Sequence, residues 1–164
     1  MKYYSPRTYV ARSSIGYQMR RGALLMREQL EQATAGGGFT FAQWITLVLV
    51  RDDASLTPGV LCHYLHHDSG ALTRLLDQLE SQKYLRRERS ASDRRVVRLL
   101  LTPLGRKAID ALLPAVVGRL NSALEGFTAA EVQTLDGLLG RLISRLEQTA
   151  AADAAPHVKA IARR

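Results

Sequence analysis

The sequence predicts a mostly α-helical protein that carries one small β-hairpin. Leucines within residues 72–79 recur at positions i, i+3, i+4 and i+7, which places them on one face of a helix. After Tyr84 the apolar period changes to two, and Val97, Leu99 and Leu101 alternate as the inward residues of a half-buried strand. Between these segments, "RRERSASDRRVVR" (86–98) holds six arginines around a small polar turn. This order predicts two strands joined by a strongly basic tip.

Threonine residues mark four helix starts. Thr40 with Gln43 and Thr128 with Glu131 have the spacing of a capping box. In "LTPG" (56–59) and "LTPL" (101–104), threonine precedes a proline, and proline suits the first helical position. We therefore expect helices to begin near residues 40, 57, 102 and 128.

The composition favours an anionic partner. The 164 residues carry a net charge of +8 with a pI near 10.1, which is typical of proteins that bind nucleic acid or an acidic surface. The arginines cluster on a hairpin and not along an amphipathic helix, so a membrane surface is disfavoured. The chain has no long apolar run and no apolar signal core, and its one cysteine, Cys62, suits a reducing compartment, so we expect a cytoplasmic protein.

A short helix over about 57–66, a second helix and a basic hairpin follow one another in the order of a winged helix-turn-helix. In this fold the second helix reads DNA bases and a hairpin tip is narrow enough to enter a minor groove. The candidate DNA contacts are Ser69, Gly70, Thr73, Arg74 and Asp77 on the helix, and Arg89, Asp93, Arg94 and Arg95 in the wing.

The stretch "DSGALTRLLDQLESQKYLRRERSASDRRVVRLLLTPLG" (68–105) resembles the core signature of the MarR (multiple antibiotic resistance regulator) family. The family's recognition-helix pattern, a serine followed by T-R-x-x-D-x-L-E, is matched by Ser69 and residues 73–80. The wing pattern D-x-R begins at Asp93, and the strand ends in L-T-x-x-G at Gly105. Lys83 stands where the family usually has a glycine. The resemblance implies a homodimeric regulator of transcription, a repressor of an operator that is pseudo-palindromic.

The last helices support dimerisation independently. Val132, Leu135, Leu139, Leu142 and Leu146 are spaced 3, 4, 3 and 4, which is a heptad-like seam; packing within one chain is the alternative. The expected organisation is an N-terminal dimerisation helix (1–38), a DNA-binding lobe (39–102), C-terminal dimerisation helices (103–150) and a loose tail (151–164).

The resemblance also implies a small-molecule effector, such as an aromatic carboxylate, between the dimerisation helices and the lobe. Trp44 offers a stacking surface, and Tyr17 and Arg21, four residues apart, have groups that bind a carboxylate. Each also has a structural interpretation, Trp44 as a core residue and Arg21 as a solvated charge.

Other functions are less well supported. Cys62 with His66, and His63 with His67, have the i, i+4 spacing of a metal or redox site, although cysteine beside leucines is more typical of a core. A sequence-independent architectural DNA-binding protein would share the basic charge but would not need an outward Thr73–Arg74 pair. No nucleophile, phosphate-loop or dinucleotide motif is present, so we expect neither an enzyme nor a cofactor.

Overall fold

The computed structural model describes residues 3–53, 55–65, 68–89 and 97–161, with side chains as far as residue 150. Within these ranges the chain forms six α-helices and one antiparallel hairpin, which confirms the predicted fold class. One turn of 3-10 helix, Ala11–Ser13, precedes the first helix. The elements are α1 Ile15–Ala35, α2 Phe41–Asp52, α3 Pro58–Leu65, α4 Ser69–Ser81, β1 Leu85–Arg89, β2 Val97–Leu101, α5 Pro103–Ser122 and α6 Ala129–Ile161.

The capping boxes predicted at the starts of α2 and α6 are both formed. The backbone N–H of Gln43 donates to Thr40 Oγ1 over 3.1 Å, and the backbone N–H of Thr40 donates to Gln43 Oε1 over 2.9 Å. At α6 the backbone N–H of Thr128 donates to Glu131 Oε2 over 2.8 Å. This backbone bond, together with the Thr128 hydroxyl, lowers the pKa of Glu131. Local hydrogen bonds therefore fix both helix starts.

One apolar core joins α1 through α5 and the hairpin. Leu47, Leu61, Leu79, Leu99 and Ile109 come from five different elements and are each fully buried. Leu112 and Val116 extend the buried face along α5, so much of its apolar surface packs within its own chain. This core holds the helix-turn-helix and the hairpin in fixed relative positions.

The chain divides into two compact units, Met1–Asn121 and Ser122–Arg164. The division falls inside the segment 103–150, which is expected to hold the C-terminal dimerisation helices. The backbone of α6 is helical to Ile161, so the helix continues past residue 151, where the apolar period ends. The tail is rich in alanine, and alanine has the highest helix propensity, which sustains a helix without an apolar period.

Among the described residues, no helix is both long enough and apolar enough to cross a bilayer.

Candidate nucleic-acid interface

The helix α4 has one buried and one exposed face. Leu72, Leu76 and Leu79 are buried, and Leu75 is half-buried, as the leucine spacing predicted. The opposite face is open to solvent along its whole length. Its exposed residues include Ser69, Gly70, Thr73, Arg74 and Asp77, which are the five helix positions predicted to contact DNA.

The start of α4 is capped by Asp68. Its carboxylate accepts the backbone N–H of Ala71 over 2.8 Å, and this bond is the main reason that the pKa of Asp68 is lowered. The nearby Arg74 guanidinium lowers that pKa further. Arg74 lies back over Gly70, where a Cβ atom would come within 3.7 Å of Arg74 Nη1. Because Gly70 has no side chain, the N-terminal end of α4 leaves room for the Arg74 side chain beside it.

Asp77 has a partner within the protein. Its Oδ1 lies 2.6 Å from Nη1 of Arg87 on β1. The same nitrogen lies 2.9 Å from Oε2 of Glu80, and Glu80 Oε1 accepts the backbone N–H of Arg87 over 2.8 Å. The exposed face of α4 is thus joined to the hairpin by one arginine and two carboxylates. We call Asp77, Glu80 and Arg87 the acidic clamp.

A tight turn connects α4 to β1. The backbone N–H of Lys83 donates to the Glu80 carbonyl and that of Tyr84 to the Leu79 carbonyl, each over 2.9 Å. These two bonds form a Schellman motif, whose first residue beyond the cap adopts the left-handed conformation. Lys83 has a φ of 63° and fills that position. The geometry explains why the family usually has glycine there, and this chain keeps the turn with a lysine.

The strand end "LTPLG" closes the base of the hairpin. Thr102 Oγ1 donates to the Lys83 carbonyl over 2.7 Å and accepts the backbone N–H of Gly105 over 3.0 Å, so it also caps α5. A Cβ atom on Gly105 would collide with the Tyr84 carbonyl oxygen and would lie 2.7 Å from Leu101 Cδ1. Only glycine allows α5 to approach the turn this closely.

One face of the hairpin carries the buried leucines together with Arg87 and Arg89, and the other face carries the exposed Arg86 and Arg98. β1 and β2 pair antiparallel with Leu85 opposite Leu101 and Arg89 opposite Val97. Leu85 and Leu99 are buried, whereas Arg86 and Arg98 are exposed. Arg89 is exposed at the last described position before the tip. Three predicted wing contacts, Asp93, Arg94 and Arg95, lie outside the described residues.

The effector candidates lie in different environments. Trp44 is only 4% exposed, and its indole Nε1–H has no hydrogen-bond partner among the described residues. Tyr17 and Arg21 are exposed on α1. A buried donor without an acceptor carries a free-energy cost, so Trp44 is the more unusual of the three.

The described part of the chain shows no arrangement of side chains that supports a metal or redox site. Cys62 is half-buried and packs against the core, and both it and His63 have interactions within the protein. No three His, Cys, Asp or Glu side chains among the described residues are grouped to hold a metal ion. His66 and His67 lie outside those residues.

Arg87 is a residue of this site that the sequence did not single out. It was counted with the other arginines of the basic stretch, yet the structure uses it inside the protein. A signal was present, because Arg87 lies two residues from the inward Leu85 and therefore shares its face of the strand.

Comparisons with known proteins agree with this architecture. A sequence model of the MarR family matches residues 37–96, which run from before α2 through the helix-turn-helix and β1 and end just before β2. The multiple antibiotic resistance protein MarR of Escherichia coli K12 is 35% identical over 105 residues, covering 63% of this chain and 73% of that protein. The chain belongs to the MarR family.

One further relative of this MarR-family chain, and one solved structure of E. coli MarR, cover more of its length. The HTH-type transcriptional repressor YetL of Bacillus subtilis is 26% identical over 123 residues, which is 74% of each protein. The crystal structure of a mutant E. coli MarR complexed with operator DNA superposes with a TM-score of 0.68 at 29% identity, covering 78% of this chain and 92% of that chain. The chain is therefore a DNA-binding transcriptional regulator, and members of this family are not enzymes.

Proposed function

We propose that this protein is a homodimeric repressor that reads a pseudo-palindromic operator. The observation that carries the proposal is the exposed face of α4, where Thr73 and Arg74 lie opposite the leucine face that packs into the core. A helix with this arrangement can enter a major groove, where arginine binds guanine with two hydrogen bonds. The repressor name of the B. subtilis relative and the operator complex of the E. coli relative support the same function.

Each part of the lobe has a separate role in this proposal. Ser69, Gly70, Thr73 and Arg74 approach the bases or the adjoining phosphates. Arg89 and the tip residues Asp93, Arg94 and Arg95 follow the flanking minor groove, where a narrow groove attracts arginine. Asp77 holds the hairpin beside α4 through its ion pair with Arg87.

The proposed dimer is formed by the first and last helices, 1–38 and 103–150. Leu135, Leu138, Ile143 and Leu146 of α6 are 42–55% exposed in the single chain. So many large apolar side chains on one helix favour a second copy of the chain as their cover. Two lobes related by a two-fold axis would read half-sites about 10 bp apart.

Substituting Arg74 tests the DNA surface. If Arg74 contacts a base with two hydrogen bonds, Arg74→Ala should reduce discrimination against the wrong base by about 1–3 kcal/mol. The control is Arg51→Ala, which removes the same charge from an exposed arginine of α2 that pairs with Asp52 and is not a proposed DNA contact. Gel shifts on the selected operator and on random duplex would show the difference. Equal loss in both variants, or no loss in either, would exclude this helix face.

The same comparison distinguishes a regulator from an architectural DNA-binding protein. A sequence-specific dimer prefers its operator over random DNA by a factor of about 10³ or more. An architectural protein would bind both with similar affinity and the same salt dependence.

We propose that the effector is a small aromatic carboxylate and that Trp44 donates its unpaired indole N–H to it. Tyr17 and Arg21 are the further candidates. Effector binding would favour a lobe spacing that does not match the operator.

Because Trp44 is the only tryptophan of the chain, its fluorescence reports on this position directly. Benzoate should change that fluorescence and weaken operator binding in the wild type. If Trp44→Phe releases DNA at the same benzoate concentration, Trp44 is not the donor.

A further inference from the structure

The arginine at the centre of the acidic clamp does not face the surface on which DNA is proposed to lie. Arg87 pairs with Leu99 across the hairpin, and Leu99 is fully buried, so Arg87 is on the inward side of β1. Its side chain is 28% exposed, compared with 66% for Arg86 on the other side of the same strand. Arg87 therefore belongs to the packing between hairpin and helix.

The contacts of Arg87 join two elements through both backbone and side chain. Glu80 accepts hydrogen bonds from the backbone N–H and from Nη1 of Arg87, at 2.8 and 2.9 Å. Asp77, one helical turn earlier, accepts from the same Nη1 over 2.6 Å. Asp77 and Glu80 hold Arg87 from successive turns of α4, so they restrict both the distance and the angle of β1 relative to the helix. Charge-assisted bonds of this kind are among the stronger ones in proteins.

Asp77 is an acid on a surface that is proposed to bind the negatively charged DNA. Asp77 is 57% exposed on the face of α4 that also carries Thr73 and Arg74. A carboxylate on such a face would repel phosphate and would lower affinity for DNA unless it did something else. Its bond to Arg87 compensates for that repulsion by holding the hairpin in place.

We propose that Arg87 is a positioning residue that fixes the wing against the recognition helix through Asp77 and Glu80. DNA binding then depends on Asp77 although Asp77 is an acid. The proposal rests on the DNA surface proposed above. It adds that helix and wing move as one body, so that an effector would change the spacing between lobes and not the angle within a lobe.

Removing Asp77 tests the proposal by the sign of the effect. Asp77→Ala should weaken operator binding about twofold or more, because coupled contacts of this kind are worth a factor of at least about two. The matched control is Glu88→Ala, since Glu88 is 56% exposed and pairs with Arg86 of the same strand at 3.4 Å. Glu88→Ala also removes one negative charge, and it should leave binding unchanged or tighter. If Asp77→Ala binds as tightly as Glu88→Ala or more tightly, the proposal is wrong.

A double-mutant cycle separates positioning from general stability. Arg87→Ala should weaken binding, and Arg87→Ala combined with Asp77→Ala should be no weaker than Arg87→Ala alone. Arg87→Lys should restore part of the affinity, because lysine keeps the charge but not the planar geometry. Hydroxyl-radical footprints should show lost protection at the flanks that the wing covers, while the central major-groove contacts persist. Additive effects, or uniform loss of protection, would overturn the proposal.

The controls keep this test distinct from that of the DNA surface. Thermal unfolding of each variant at one protein concentration shows whether the lobe remains folded, and Asp77→Asn serves as a milder second variant. If Arg74→Ala has no effect on DNA, the proposed surface fails; if only the Asp77 and Arg87 variants have no effect, the acidic clamp alone fails.

Discussion

Lys83 is the one residue other than glycine with a positive φ in the described part of the chain, and replacing it with glycine should stabilise the protein. Its φ of 63° places Lys83 in the left-handed region, where the Cβ atom of an L-residue crowds the backbone at a cost of roughly 1–2 kcal/mol. Glycine avoids that cost but loses more backbone entropy on folding, about 0.5–1 kcal/mol. The difference predicts a gain of about 0.5–1 kcal/mol for Lys83→Gly.

The turn should survive the substitution because only backbone atoms form it. The bonds from Lys83 N–H to the Glu80 carbonyl and from Tyr84 N–H to the Leu79 carbonyl do not involve the lysine side chain. For a chain of this length, the gain corresponds to an increase in Tm of roughly 1–4 °C. Thermal and urea unfolding at one fixed protein concentration would measure it, since dimer formation makes Tm depend on concentration.

Lys83→Ala is the matched control. It removes the same charge but keeps the Cβ atom, so it should not raise Tm. If Lys83→Ala stabilises the protein as much as Lys83→Gly does, the charge and not the backbone conformation sets the effect. A lower Tm for Lys83→Gly would refute the argument altogether.

Three further predictions concern other parts of the molecule. Gly105→Ala should destabilise the protein by about 1–3 kcal/mol in urea unfolding, because its Cβ atom meets the Tyr84 carbonyl; an unchanged midpoint would contradict this. The lowered pKa of Asp68 means that its stabilising contribution is present above its unfolded pKa, near ~3.9, and is lost as pH falls through the lower folded pKa. Asp68→Asn should cap α4 without titrating, so the wild type should lose stability relative to it in acid. Leu139→Glu combined with Leu142→Glu should give a monomer in sedimentation, because carboxylates would enter the proposed interface; a dimer would place the interface elsewhere.

Local signals in the sequence predicted most of the helices and the recognition helix. The capping box of Thr40 and Gln43 and the leucine face of α4 depend on neighbours within a few residues, and both are present. The left-handed position at Lys83 was marked only by the family's usual glycine. The sequence alone did not show that the turn persists with a lysine there, because that depends on two backbone bonds.

Contacts between distant residues were not predictable in the same way. Asp77 was assigned to DNA because it lies on the outward face of α4, and its bond to Arg87 depends on how β1 packs beside the helix. Likewise, the sequence could not show that the buried N–H of Trp44 has no partner among the described residues, because this depends on how the core packs around it. The alanine-rich end of α6 shows the opposite case, where propensity extends a helix that has lost its apolar period.

The most direct test of the central claim is to select genomic or random DNA fragments with the purified full-length protein and to sequence the bound pool. A two-fold regulator predicts an enriched pseudo-palindrome whose half-sites lie about 10 bp apart. The Arg74→Ala protein should lose preference at particular positions of that motif, whereas Arg51→Ala should enrich the same motif as the wild type. Enrichment of no motif, or of a single half-site without symmetry, would contradict the account.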